Sequence, residues 1–118
     1  MKQSFEVRAS LPDLNKIIAE SKIYWGKYAK SKKGYDMIVA AFAKRLKPVR
    51  SYPVEIHCCW RTADRRKDPD NIAAGIKFIL DGLVKAGILR GDGFSEVSKI
   101  THEFTVDKSN IGVEVTLR

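Results

Sequence analysis

Residues Arg65 to Gly93 read RRKDPDNIAAGIKFILDGLVKAGILRGDG. A basic run leads into two aspartates one residue apart, Asp68 and Asp70, then into an apolar periodic stretch, and a third aspartate, Asp92, follows. Ile72, Ile76, Ile79, Leu80, Leu83 and Val84 recur at three- and four-residue intervals, which predicts an amphipathic helix from Ile72 to Ala86. Gly87 is the expected C-cap. Pro69 holds Asp68 in extended geometry and opens the helix behind it. In an extended chain, residues two apart face the same way, roughly 7 Å apart at the backbone. Two carboxylates so placed can share a hard divalent cation. The same Asp-Pro-Asp-Asn can also be an ordinary helix cap, because Asp and Asn satisfy orphan backbone donors.

Asp70, Ala74, Lys77 and Asp81 form a second stripe on this helix. It places Lys77 roughly 10 Å along the axis from Asp70, within reach of a phosphate held beside the acids. The plainer alternative is a surface pair of Lys77 with Asp81, one helical turn on. Asp92 raises a problem of reach. A continuous helix carries the chain roughly 22 Å away from Asp70, and the six residues from 87 to 92 span at most roughly 20 Å when extended. Two solutions are expected: the helix sits at a two-fold interface and Asp92 completes the site of the partner subunit, or the helix breaks early, near Gly82.

Outward from this stretch, the flanks supply strands and helices. Gln3 to Ala9 alternates, with Phe5 and Val7 inward, and predicts a first strand. Leu14 to Ser21 predicts a short helix. Tyr35 to Leu46, with Tyr35, Ile38, Phe42 and Leu46 in register, predicts a longer one stopped by Pro48. Pro53 to Trp60 predicts a strand with Val54, Ile56, Cys58 and Trp60 on one face, delivering the chain to the aspartates. Ser98 to Val106 and Ile111 to Leu117, joined by Asp107-Lys108-Ser109-Asn110, predict a closing hairpin. The order β-α-α-β-α-β-β gives an α+β fold, one domain over residues 1–118, with a mostly antiparallel sheet packed with helices.

The 118 residues carry 22 Lys and Arg against 14 Asp and Glu, a net charge of +8, which favours polyanionic partners and salt-sensitive association. Lys27, Lys30, Lys32 and Lys33 are interleaved with Tyr24, Trp25 and Tyr28, a pattern suited to phosphates and unpaired bases, although the rings could equally be core. Arg61, Arg65, Arg66 and Lys67 crowd the approach to Asp68, where guanidinium groups would offset the repulsion between acids and a phosphate. No apolar run is long enough for a membrane span and no leader pattern is present, so a soluble, cytoplasmic protein with no membrane partner is expected. Cys58 and Cys59 are adjacent and have no further cysteine partners, which fits a reducing compartment. His57 is expected to be a half-exposed strand residue and not a ligand. Phe94 reads as a wedge or an interface residue.

RRKDPDN, then Lys77, then Asp81-Gly82-Leu83, then Gly91-Asp92-Gly93 resembles the signature of the RusA-type Holliday-junction resolvases, in particular their phage and prophage branch. The segment Leu11 to Lys22 is similar as well, so the resemblance spans approximately Leu11 to Val97. It implies a RusA-like fold, a bacterial or phage-infected host, and Mg²⁺-dependent cleavage of four-way DNA junctions in recombination and repair. It implies that Asp68, Asp70 and Asp92 bind Mg²⁺, for which Mn²⁺ could substitute, and that Lys77 assists; no nucleotide cofactor is called for. Such a cation offsets phosphate charge and lowers the pKa of a water. Gly91 precedes Asp92 where the family often has a second acid. A four-way junction is two-fold symmetric, so paired incisions imply a homodimer. Two rivals stay open: a non-catalytic DNA-binding or assembly protein that keeps the fold, and a nuclease for flaps or other branched DNA.

Overall fold

The computed structural model describes residues 2–23 and 25–118, with the side chains of residues 21–33 outside the description. The elements are β1 (Gln3–Val7), α1 (Leu14–Ile23), α2 (Trp25–Ala43), β2 (Val54–Thr62), α3 (Pro69–Ala73), α4 (Ile76–Lys85), β3 (Val97–Val106) and β4 (Gly112–Leu117). They form an α+β unit around one four-stranded sheet, in the order β1-β4-β2-β3.

β2 follows the alternation of its sequence: Val54, Ile56, Cys58 and Trp60 are buried, while Glu55 is exposed and His57 and Cys59 are half-buried. Phe5 and Val7 from β1 and Val113, Val115 and Leu117 from β4 join them, and Val39, Phe78, Ile79 and Leu83 from the helices close the core. The other face of the sheet is polar. There Ser4 Oγ lies 3.0 Å from Thr116 Oγ1, and His57 contacts Thr101 through Nδ1 and Glu103 through Nε2, the latter at 2.9 Å.

Three expectations need correction. The expected hairpin does not form, because β2 lies between β3 and β4; β4 runs antiparallel to β1 and β2, whereas β2 and β3 are parallel. The turn at 107–110 instead carries the chain over the end of β2, where Asp107 N–H donates to Thr62 O at 2.9 Å. The sheet is therefore mixed, with two of its three pairings antiparallel.

The second correction concerns α2. Among its described side chains the buried ones are Val39 and Ala43, one position on from the expected Ile38 and Phe42, which remain partly exposed. Gly82 explains the shift: a Cβ built there would come within 2.5 Å of Val39. The helices α2 and α4 cross too closely for large side chains at the contact.

The third correction is the helix after the aspartates. It breaks at Ala74–Gly75, not near Gly82, into α3 and α4. Gly75 N–H donates to Ile72 O at 3.1 Å and Phe78 N–H to Gly75 O at 3.0 Å, the tighter bonding of a 3₁₀ turn. Trp60 sits beneath the break, and a Cβ on Gly75 would meet its ring at 2.8 Å. Gly87 ends α4 with φ 76°, as its place in the sequence predicts, and Ile88 N–H donates back to Leu83 O at 3.0 Å.

Candidate functional site

The basic run and the paired aspartates occupy the loop that leaves β2 and enters α3. Residues 63–70 are exposed throughout. Asp68 is the N-cap residue of α3, with extended φ −72° and ψ 150°, yet its carboxylate makes no capping hydrogen bond. Only its main-chain carbonyl serves the helix, accepting from Asn71 N–H at 3.0 Å and Ile72 N–H at 3.1 Å. The carboxylate of Asp70 accepts from Asn71 N–H at 3.0 Å. Asn71 turns away and accepts from the Asn15 N–H at 3.1 Å, which ties α1 to α3. Side-chain capping, the plainest alternative for Asp68, is thus not used.

The cations of this loop separate into different roles. Arg65 and Lys67 line, with Asp64, Asp68, Pro69, Ile72, Phe104 and Val106, an open cleft of about 420 Å³. Lys67 Nζ is held by Asp13 at 2.8 Å. Burial alone would raise the Asp13 carboxyl, but the hydrogen bonds from Lys67 and the Lys16 N–H leave it below its ordinary value. Arg66 is exposed, with Nε 3.6 Å from Asp64. Arg61, expected among the phosphate contacts, points to the polar face with its side chain only 10% exposed. Its Nε donates to Asn110 O at 2.7 Å, which fastens the turn before β4 to β2. Lys77 is exposed and lies 3.9 Å from Asp81, the i, i+4 pair. Lys27, Lys30, Lys32 and Lys33, with Tyr24, Trp25 and Tyr28, fall outside the described side chains.

Asp92 is elsewhere. It is exposed in a separate hollow of about 440 Å³, with Gly93, Phe94 and the first residues of β3. The parallel pairing is the cause. Parallel neighbours need a crossover that returns the chain to the starting end of the sheet. Asp68 follows the end of β2, whereas Asp92 precedes the start of β3, so the two sit at opposite ends of the same strands. With a rise near 3.3 Å per residue, the cleft beside Phe104–Val106 and the hollow beside Val97–Ile100 are roughly 20 Å apart. Among the described residues no group of three or more His, Cys, Asp or Glu stands together in a way that could hold a metal ion.

The Asp92 loop is pinned by residues that sequence reading passed over. Arg90 Nε donates to Glu96 at 3.0 Å, its guanidinium lies 4.2 Å from the centroid of the Tyr52 ring, and its N–H donates to the Tyr52 hydroxyl at 3.0 Å. Hydrogen bonds from Ser95 and Arg90 hold the Glu96 carboxyl below its ordinary value. The only advance signal was the charge pair Arg90 and Glu96 flanking Gly91-Asp92-Gly93.

The two thiols are chemically quiet. Burial pushes the Cys58 thiol up to about 12, and burial with Glu103 and Glu114 nearby raises Cys59. On the core face of β2 and β3, Trp60, His102 and Phe104 stack in a row, with centroids 6.1 and 6.2 Å apart. Trp60 Nε1 donates to His102 Nδ1 at 2.9 Å. Comparison with protein-family models gives no match, and a search of curated proteins returns none.

Proposed function

We propose that this chain is a Mg²⁺-dependent, structure-specific endodeoxyribonuclease of the RusA type, acting as a homodimer on four-way DNA junctions. The observation that carries the reading is the Asp68 carboxylate: it stands in solvent at a helix mouth, unused as a cap, one residue from the Asp70 carboxylate and beside Arg65. Exposed carboxylates are costly next to a phosphate unless a cation joins them. Mg²⁺ keeps several waters and takes one or two protein carboxylates together with phosphate oxygens, so the donors Asp68 and Asp70 fit it. When bound, it offsets phosphate charge and acidifies a water. Arg65 and Arg66 orient the DNA backbone toward the acids. Lys77, more than half exposed on α4, is long enough to turn from the half-buried Asp81, 3.9 Å away, toward a phosphate oxygen.

The separation of Asp92 from Asp68 within one chain favours the rival reading, a DNA-binding protein without catalysis, unless two chains combine. A synthetic four-way junction incubated with Mg²⁺ decides between them. Wild-type protein is expected to make paired incisions, and Asp70→Asn is expected to bind equally while cutting at least about 100-fold more slowly, the loss typical of removing an electrostatic stabiliser. Equal binding without cutting by either protein refutes the enzyme. Flap and linear duplex substrates in the same assay separate junction cleavage from a broader branch specificity.

A further inference from the structure

We infer that the hollow lined by the segment 47–53, at the end of the sheet away from Asp68, is a docking site for an acidic peptide segment of a partner protein that carries one large apolar side chain. The inference goes beyond the nuclease reading and stands whether or not the aspartates cut DNA.

The hollow lies where β1 and β2 begin and β4 ends, since Gln3 and Ile56 both pair with Leu117. The nine residues of β2 separate it from the loop that bears Asp68, roughly 26 Å at a rise near 3.3 Å per residue. Its volume is about 440 Å³, within the range of about 300–1,000 Å³ that ligand pockets occupy. Gln3 Nε2 donates to Lys47 O and Lys47 N–H donates to Gln3 Oε1, both at 2.8 Å. Val49 N–H donates to Ile88 O at 2.8 Å, and Glu55 and Arg118 exchange N–H to carbonyl bonds at 3.0 Å. The segment that lines the hollow is thus fastened to β1 and to the residues after α4.

Two kinds of surface meet there. Val49, Pro53, Val54 and Leu117 supply an apolar lining, and Lys47, Arg50 and Arg118 stand exposed around it. Among the described residues no acidic side chain lines the hollow. Glu55, next to Val54, is exposed on β2 and is not part of the lining. Cations elsewhere have an acid beside them, as Lys67 has Asp13 and Arg90 has Glu96. Among the described residues no ion pair engages Lys47, Arg50 or Arg118.

One ligand chemistry satisfies both surfaces. A phosphodiester would answer the cations and leave the apolar lining in water, whereas a purely apolar ligand would leave three like charges unopposed. A peptide with acids on either side of a leucine or phenylalanine seats that side chain against Val49, Val54 and Leu117 and brings its carboxylates to Lys47, Arg50 and Arg118. The guanidinium fork matches a carboxylate with two parallel hydrogen bonds, and clustered arginines are a recurrent reader of acidic motifs. The net charge of +8 attracts such a segment from a distance without preferring one place on the surface. The apolar lining supplies the preference.

Fluorescence anisotropy with a labelled peptide of four aspartates around one phenylalanine tests the proposal. Wild-type protein is expected to bind it at least about tenfold more tightly than the same peptide with alanine in place of phenylalanine, the factor that burying one large apolar side chain supplies. Lys47→Glu and Arg50→Glu are each expected to weaken binding at least about tenfold while keeping the wild-type far-ultraviolet circular dichroism. Lys108→Glu, an equal change of charge at the other end of β2, is expected to weaken it far less. Should Arg50→Glu misfold, Lys47→Glu and the alanine peptide carry the same test. Wild-type binding no tighter than about 1 mM, equal binding of the two peptides, or a loss in Lys108→Glu as large as in Arg50→Glu overturns the site. A DNA duplex that displaces the peptide, and whose own affinity falls by the same factor in Arg50→Glu, overturns it in favour of a nucleic-acid contact.

Discussion

Two glycines and a histidine show how single residues set this molecule. Gly82 and Gly75 are required by what faces them, Val39 and the Trp60 ring, and not by backbone angles. Gly82→Ala is expected to destabilise the fold by ~1–3 kcal/mol through overpacking, measured by urea denaturation. Val39→Ala in the same chain should recover part of the loss; a double variant no more stable than Gly82→Ala would show that contact with Val39 is not the cause. His102 is a pH-sensitive member of the stack. Burial, with His57 nearby, lowers its pKa below the ordinary 6.5, so the fold favours the neutral ring whose Nδ1 accepts from Trp60. The unfolded chain takes up the proton first as pH falls, and it then binds more protons than the native state. The contribution of His102 is therefore fully present above pH 6.5 and is lost as pH falls through the lower, folded value. Stability measured from pH 7.5 downward should decline across that window, and His102→Gln should flatten the decline.

At the scale of elements, what could be read in advance was local. β2 announced itself by alternation, α4 by its stripe, and Gly87 by its position after the last apolar residue. What could not be read was which strand neighbours which. Asp107 to Asn110 does reverse the chain, but turn chemistry reports where a chain turns and not whether another strand already fills the gap. β3, exposed on most of its length, carries too weak an alternation to reveal that it lies at an edge parallel to β2. Of the candidate site, the sequence shows the residue types and their order; the fold adds that Asp68 and Asp70 are exposed at the mouth of α3, that the Asp68 carboxylate makes no capping hydrogen bond, and that Asp92 lies elsewhere. Arg61 sits in a basic run, yet strand alternation turns it to the polar face, where its Nε donates to Asn110 O. Arg61→Ala is expected to cost ~1.5–3 kcal/mol, the range for a hydrogen bond to a charged group, in thermal or urea unfolding, with the loss traced to the 107–111 connection by hydrogen exchange.

For the whole molecule, with a net charge of +8, the proposed binding to DNA would be dominated by counterion release, and its salt dependence would count the contacts. Each lost phosphate contact lowers the slope of log K against log salt by about 0.9. If the loop that bears Asp68 is the DNA track, Arg65→Ala and Arg66→Ala should each reduce the slope by about one such step. Arg61→Ala should leave it unchanged, because the side chain is only 10% exposed and its Nε donates to Asn110 O. Asp70→Asn protein, which the proposed function expects to bind without cutting, titrated with a labelled junction between low and physiological salt gives these slopes directly. A quadruple Lys27, Lys30, Lys32 and Lys33 to Ala variant extends the measurement to α2 and should lower the slope further if that helix tracks the backbone. An unchanged slope for Arg65→Ala and Arg66→Ala, alongside a large fall for the lysine variant, would move the DNA away from the acids. In that case the aspartates would face solvent and no phosphate, and the nuclease reading would fail even with binding intact.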